Sequence, residues 1–286
     1  MKFGARRTIV GGALILVLPF WISPAVGQSA NPKNDQLKNV ELCNGLDRES
    51  IERRIEGCTA VIQAVEGSAR ALPIAFNNRG NAYVANGEYD RAIQDFRQSI
   101  NLDQTYTKPV NNLGVAYLRK GEYDAAVGAF DEAIRLKSDY GEAFVNRGEA
   151  FLKKKDYDRA ARDFDEALRI APALQAALNG RCWARAVLGA LQGALDDCNK
   201  VLQSKPGSAA AYDSRALVHL KMGQFSAAIE DYNSALRLHP TLASAFYGRS
   251  YAKLKNGDNA GSDSDAAAAK EIDPEIADSF AHYLVQ

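Results

Sequence analysis

The sequence predicts an all-α solenoid, a stack of two-helix hairpins, and three observations carry that prediction. Shifting the chain against itself by 34 residues places Gly80, Gly114 and Gly148 in one column. Within each 34-residue unit, apolar residues recur at helical spacing in two stretches separated by a turn. Further columns of small residues and of closing prolines keep the same phase: Ala92, Ala126, Ala160, Ala194, Ala228 and Ser262, then Pro172, Pro206, Pro240 and Pro274. A single hairpin cannot bury its apolar face, so stacked neighbours must supply the core.

The N-terminal segment, residues 1–27, predicts a cleavable secretory signal. It has a basic start, an apolar run over residues 8–22, and small residues before Gln28. Cleavage gives a periplasmic or secreted protein with no membrane insertion. The alternative is an inner-membrane anchor formed by residues 8–22, because a run of about 15 apolar residues approaches the length that spans a bilayer.

Composition excludes some partners. The chain of 286 residues is 47% hydrophobic and 24% charged, which is typical of a globular protein. Without residues 1–27 it keeps 32 basic and 35 acidic residues. A nucleic-acid-binding surface would need a basic excess, so no nucleic-acid partner is expected.

The remaining elements follow in chain order. Residues 28–40 are expected to be a flexible linker, and residues 41–72 a divergent helical unit. In that unit RRIEGCTAVI overlays RAIQDFRQSI of the first regular unit. The second helix of the unit is therefore recognisable from the sequence, whereas the first helix is not. Six regular units occupy residues 73–276, and residues 277–286 are expected to form a capping helix, as solenoid ends require.

The repeat resembles the tetratricopeptide repeat (TPR) family, whose 34-residue signature combines aromatic, small and apolar positions with a closing proline. Glycines mark the turn inside the hairpin at Gly87, Gly121, Gly189, Gly223 and Gly257. The resemblance implies a right-handed α-solenoid in which the first helix of each unit, helix A, lines a concave groove. It also implies a non-catalytic protein that binds other proteins.

An arginine replaces the usual leucine at position 7 of most units, counting from Pro73. An aspartate lies sixteen residues after each arginine, and the one unit with Leu113 instead has Ala129. A buried guanidinium needs a carboxylate partner, so we expect these pairs to tie helix A to helix B. The aspartate of the preceding unit is excluded, because Arg147 would then meet Ala129. The predicted pairs are Arg79 with Asp95, Arg147 with Asp163, Arg181 with Asp197, Arg215 with Asp231, and Arg249 with Asp265. The alternative is an arginine offered to a ligand.

The four cysteines predict two disulfides. Cys182 and Cys198 replace the small residue of helix A and the large residue of helix B in one unit, and Cys43 and Cys58 have nearly the same separation. Pairing of Cys43 with Cys58 and of Cys182 with Cys198 is therefore expected in an oxidising compartment. The alternative is four buried, unpaired thiols. Metal binding is disfavoured because no CxxC spacing or neighbouring histidine accompanies them.

No catalytic motif is present in the sequence, and neither a cofactor nor a small-molecule substrate is expected. The predicted function therefore depends on the groove. Its candidate residues are the inward positions of helix A: Asn77, Asn81, Asn111, Arg119, Lys153, Asn179, Trp183, Asp213, Tyr247 and Tyr251. Amides can bond an extended peptide backbone, and aromatic residues can anchor an apolar side chain. We expect a periplasmic scaffold that binds a segment of an envelope protein; the alternative is a structural subunit that assembles through its convex face.

Overall fold

The computed structural model describes residues 32–45, 50–64 and 71–285, and this part of the chain is built from fifteen α-helices with no strand. The helices are α1 (Pro32–Asn44), α2 (Ile51–Gln63), α3 (Ala71–Ala85), α4 (Tyr89–Leu102), α5 (Thr107–Lys120), α6 (Tyr123–Leu136), α7 (Gly141–Lys153), α8 (Tyr157–Ile170), α9 (Gln175–Val187), α10 (Leu191–Ser204), α11 (Ala209–Lys221), α12 (Phe225–Leu238), α13 (Ala243–Lys255), α14 (Asn259–Ile272) and α15 (Ile276–Val285).

These helices form an α-solenoid. Each helix packs against the next along the chain, and each helix A also contacts helix A of the following unit. The turn inside a hairpin requires a left-handed residue, as at Gly121, where φ is 87° and the amide caps α5. Lys155 takes the same position in the third regular unit with φ 60°, the one positive φ at a non-glycine residue in the described ranges.

The glycine column marks a close approach of the two helices in a hairpin. A Cβ added to Gly148 would lie 2.8 Å from Cε1 of Phe164, and one added to Gly114 would lie 2.5 Å from Cε1 of Phe130. Both phenylalanines are fully buried. The small and large columns of the repeat therefore meet in one seam at the centre of each hairpin.

The N-terminal end corrects one expectation. Helix α1 begins at Pro32, so residues 32–40 are helical rather than part of a flexible linker. The helix has little amphipathic pattern, since Leu37 is 63% exposed and only Leu42 and Cys43 near its end are buried. Its stability depends on packing against α2, which local periodicity does not encode. The predicted signal of residues 1–27, including the alternative anchor, lies outside the described residues.

The other predicted boundaries lie near helix ends. The first regular hairpin begins at Ala71, and α15 begins at Ile276. Differences of one or two residues at helix ends are ordinary. Across the described ranges, no helix has the length and apolar character needed to cross a membrane.

Two disulfides join the helices of two hairpins, with the pairing that the sequence predicts. Cys43 on α1 is bonded to Cys58 on α2, with Cα atoms 4.4 Å apart. Cys182 on α9 is bonded to Cys198 on α10, with Cα atoms 5.6 Å apart. The second bridge spans the seam that glycine and phenylalanine fill in other units. A covalent bond thus replaces a packing contact there.

Reduction of the bridges is expected to destabilise α1 most. A disulfide that closes a loop of about 15 residues contributes about 3 kcal/mol in the chain-entropy model. Helix α1 has few other buried side chains, whereas α9 and α10 are packed on both sides. Hydrogen exchange should therefore show loss of protection in α1 when Cys43 and Cys58 are both changed to Ser. The matched pair Cys182→Ser with Cys198→Ser should leave α1 protected. Peptide mapping that finds a free thiol, or a bridge between 58 and 182, would contradict the assignment.

Candidate protein-binding groove

The arginines of helix A hold the scaffold together. In the third regular unit, Arg147 donates from Nε and Nη2 to the two carboxylate oxygens of Asp163, at 2.8 and 2.6 Å. Burial raises the pKa of Asp163, and its hydrogen bonds to Arg147 offset this only in part. Each of the other predicted pairs has the same two-point geometry: Arg79 with Asp95, Arg181 with Asp197, Arg215 with Asp231, and Arg249 with Asp265.

Each guanidinium also reaches the preceding hairpin, which the sequence analysis had excluded. The third nitrogen, Nη1 of Arg147, donates to Asp131 at 2.6 Å. The equivalent acceptors are Thr59 for Arg79, Asp165 for Arg181, Asn199 for Arg215 and Asn233 for Arg249. The acceptor is at position 25 of the preceding unit. It lies two residues after the position of the aspartate column, where Ala129 ruled out a pair with Arg147. The arginines therefore link neighbouring hairpins as well as the two helices of one hairpin.

The exception at Leu113 has a structural reason. The residue at position 25 of the preceding unit is Arg97, which donates to the hydroxyl of Tyr117 at 2.7 Å. An arginine at position 113 would bring a second guanidinium toward Arg97 where other units provide an acceptor. Like charges at short range are unfavourable, so leucine suits this unit.

Two of the groove asparagines, Asn77 and Asn111, are buried structural residues. The side-chain amide of Asn112 donates to Oδ1 of Asn77 at 2.9 Å, and that of Asn146 donates to Oδ1 of Asn111 at 3.0 Å. Both acceptors are at least 96% buried. Position 5 of one unit is thus bonded to position 6 of the next. These two amides stabilise the stacking of units and are not available to a peptide backbone.

This ladder of amides stops at Val145, which occupies position 5 of the third regular unit and has no side-chain amide. Asn179 also occupies position 5, but position 6 of its next unit is Ser214, and Oδ1 of Asn179 is buried without a hydrogen-bond partner. Asp213 is next in the column, and its position-6 neighbour is Gly248. Asp213 is 92% buried and accepts one hydrogen bond, from Ser244 at 2.9 Å. Burial raises the pKa of Asp213 to about 7. In the part of the chain that the structure describes, no cation forms an ion pair with it.

A cavity of about 750 Å³ opens at this break in the ladder. Asn179 and Asp213 line it together with Trp183, Tyr157 and Tyr283. Basic groups lie toward the opening, where the exposed residues Lys153, Lys155 and His239 form its rim. The cavity therefore combines buried acceptors, aromatic walls, and a rim with three basic residues and the carboxylate of Glu149.

Helix α15 fills the aromatic end of the groove. The ring of Tyr283 packs edge-on against Trp183 with centroids 5.1 Å apart, and Phe280 lies 5.4 Å from Tyr247. Tyr251 packs against the same cluster. The ammonium of Lys221 donates to the backbone oxygen of Tyr283 at 3.1 Å. The C-terminal helix thus runs back from α13 and α14 toward α9. The expected capping helix therefore also covers part of the groove.

The open part of the groove lies on α3, α5 and α7. Arg119 and Lys153 are exposed there, and Asn81 is half-buried. Glu149 interacts electrostatically with both cations, so the basic character of this surface is weaker than the two residues alone indicate. The charged part adjoins the cavity, because Glu149 and Lys153 of α7 belong to both.

Two family models match the chain by sequence. One, described as tetratricopeptide repeat, matches residues 111–175, and the other, described as TPR repeat, matches residues 80–121 and 217–257. The chain is a member of the tetratricopeptide repeat family. No curated protein matched the chain by sequence.

Several solved structures share this fold. A tetratricopeptide repeat protein from Parabacteroides merdae ATCC 43184 is 17% identical, covers 88% of this chain and 99% of its own, and has a TM-score of 0.66. PilF of Pseudomonas aeruginosa is 16% identical, covers 74% and 98%, and has a TM-score of 0.61. YrrB, a TPR protein with an unusual peptide-binding site, is 21% identical, covers 68% and 98%, and has a TM-score of 0.53. At these identities the likeness concerns the fold alone. TPR proteins are generally non-catalytic scaffolds for protein–protein interaction.

Proposed function

We propose that this TPR protein is a non-catalytic, exported scaffold that binds a segment of an envelope protein along its concave groove. The observation that carries the proposal is the seating of α15. The groove already holds a ten-residue helix by aromatic contacts to Trp183 and Tyr247. A surface that seats one amphipathic helix has the width and the apolar anchors for a helical or extended segment of another chain.

The bound segment lies on the open part of the groove and ends against α15. Its acidic part faces Arg119 and Lys153, and its apolar part contacts Trp183 and Tyr283 beside the cavity. Exposed charges chiefly steer association, so the affinity is moderate and the apolar contact supplies most of it. The description of YrrB as a peptide-binding TPR protein is consistent with this mode.

Export is part of the proposal. Two disulfides indicate an oxidising compartment, because such bonds are rare in the cytosol. The basic and apolar pattern of residues 1–27 supports the same location.

A charge-reversal experiment tests the groove. Arg119→Glu with Lys153→Glu should reduce capture of the partner from envelope extract about tenfold or more, since it replaces steering attraction with repulsion. The matched control is Arg135→Glu with Arg169→Glu, which changes the same charge in the same two units. Those arginines lie on helix B and are 68% and 67% exposed.

The pattern of capture separates the two functions. Loss in the groove variant alone supports the proposal. Loss in the helix B variant alone would favour a structural subunit that assembles through the convex face. Equal capture by wild type and both folded variants would contradict the groove as the binding surface.

A further inference from the structure

We propose that the cavity between α9 and α11 is a binding site for an alkylammonium or guanidinium group, supplied by a lysine or arginine side chain of the bound segment. The inference deepens the proposed function and rests on it for the source of the cation. The cavity itself can be tested without the partner.

The floor of the cavity offers hydrogen-bond acceptors that lack matching donors. Oδ1 of Asn179 is buried and has no hydrogen-bond partner. The carboxylate of Asp213 is 92% buried and receives one neutral hydrogen bond, from Ser244. A buried carboxylate without a cation is unfavourable, and a buried acceptor left unpaired adds to the cost. A ligand that donates several hydrogen bonds and carries a positive charge corrects both deficits.

These deficits follow from the repeat and not from a loose surface. Where position 6 of the next unit is asparagine, the position 5 acceptor is satisfied, as for Asn77 and Asn111. Ser214 and Gly248 are too short to continue the ladder at Asn179 and Asp213. Ser214 lines the space of about 750 Å³ that lies beside the two acceptors.

The walls also suit a cation with an apolar stem. Trp183, Tyr157 and Tyr283 line the cavity, and an aromatic face attracts ammonium and guanidinium groups. Leu152 and Leu242 provide apolar surface for methylene groups. The lysines at the rim are exposed, so they can pair with acidic residues that flank the basic one in the segment. An anionic ligand fits less well, because it would place its charge against Asp213.

Calorimetric titration of the protein with n-butylguanidinium tests the cavity directly. We expect a dissociation constant of about 1 mM or tighter. Its neutral isostere butylurea and the anion butyrate should bind at least about tenfold more weakly. Asp213→Asn should weaken butylguanidinium about tenfold or more, since it removes the charge and keeps the shape. Glu230→Gln is the matched control, because it removes an exposed carboxylate on α12 that does not line the cavity; it should change the affinity about twofold at most.

Several results would overturn the proposal. These are no heat of binding up to about 10 mM, equal affinity for butylurea, or unchanged affinity in the folded Asp213→Asn protein.

A second titration identifies the source of the cation, using an acidic peptide with one central lysine and its norleucine counterpart. Tighter binding of the lysine peptide, lost in Asp213→Asn, supports a basic side chain. Butylguanidinium binding without any difference between the peptides would overturn that source, leaving a small amine as the ligand and removing this support for peptide binding in the groove.

Discussion

Replacing Arg147 by alanine is expected to lower the free energy of unfolding by about 3 kcal/mol, as for removal of one partner from a buried ion pair. The side chain of Asp163 is 6% exposed and receives two hydrogen bonds from Arg147. Without them its carboxylate must remain buried unpaired, take up a proton, or draw water into the seam. The substitution also removes the link to Asp131 on the preceding hairpin. Urea denaturation followed by circular dichroism measures the loss.

A double substitution distinguishes the ion pair from simple loss of packing. Arg147→Leu with Asp163→Ala recreates the pair found at Leu113 and Ala129, so it should recover at least about 1 kcal/mol relative to Arg147→Ala. The surface control Arg135→Ala breaks an exposed pair with Glu132 and should cost no more than about 1 kcal/mol. Equal losses in the single and double variants would show that Arg147 and Asp163 are not coupled.

Changing Asp213 to asparagine is expected to stabilise the protein at neutral pH. Burial raises the pKa of Asp213 from 3.8 to about 7. The folded state therefore holds a proton on this group that the unfolded chain releases at lower pH. Its contribution to stability falls as pH rises from about 4 to 7 and is constant above that range. The difference between the two pKa values corresponds to about 4 kcal/mol. This is the upper limit for the increase in the free energy of unfolding that Asp213→Asn produces at pH 8.

The pH profile provides the test. The difference in melting temperature between Asp213→Asn and wild type should be small near pH 4 and reach several degrees at pH 8, at about 2–4 °C for each kcal/mol. Tyr232 and Tyr283, which interact electrostatically with Asp213, have raised pKa values and stay neutral across this range. Asp165→Asn is the control, since that carboxylate is 49% exposed and paired with Arg181. A difference that does not grow with pH would contradict a buried, unpaired Asp213.

Much of the fold could be predicted from the sequence because the repeat gives each position a fixed environment. The hairpins, the glycine and phenylalanine seam, the contact of Arg147 with Asp163 and the bridge at Cys182 lie within one unit. Their separations of 16 residues are set by two helices and a short turn. Hydrophobic periodicity was a weaker guide to α1, because Leu37 and Val40 are exposed and the buried side chains are confined to the end of the helix.

The groove was predicted less completely. Asn77 and Asn111 have the right side chains for a peptide, but their side-chain oxygens accept hydrogen bonds from the next unit. These hydrogen bonds could have been predicted by comparing position 5 of each unit with position 6 of the next. Asn112 and Asn146 each follow a position 5 asparagine by 35 residues. The same comparison would have exposed the break at Asn179.

The sequence by itself determined the repeat, the order of the hairpins, and the ion pairs and disulfides inside them, because these contacts depend on short separations along regular helices. Only the tertiary structure decided where α15 lies, and therefore which aromatic residues of the groove remain accessible to a partner. Tyr283 meets Trp183 across 100 residues of chain. That contact depends on how successive hairpins stack, since small rotations add up over several units. The cavity at Asp213 has the same origin, because it forms between α9, α11 and a helix that returns from the far end of the chain.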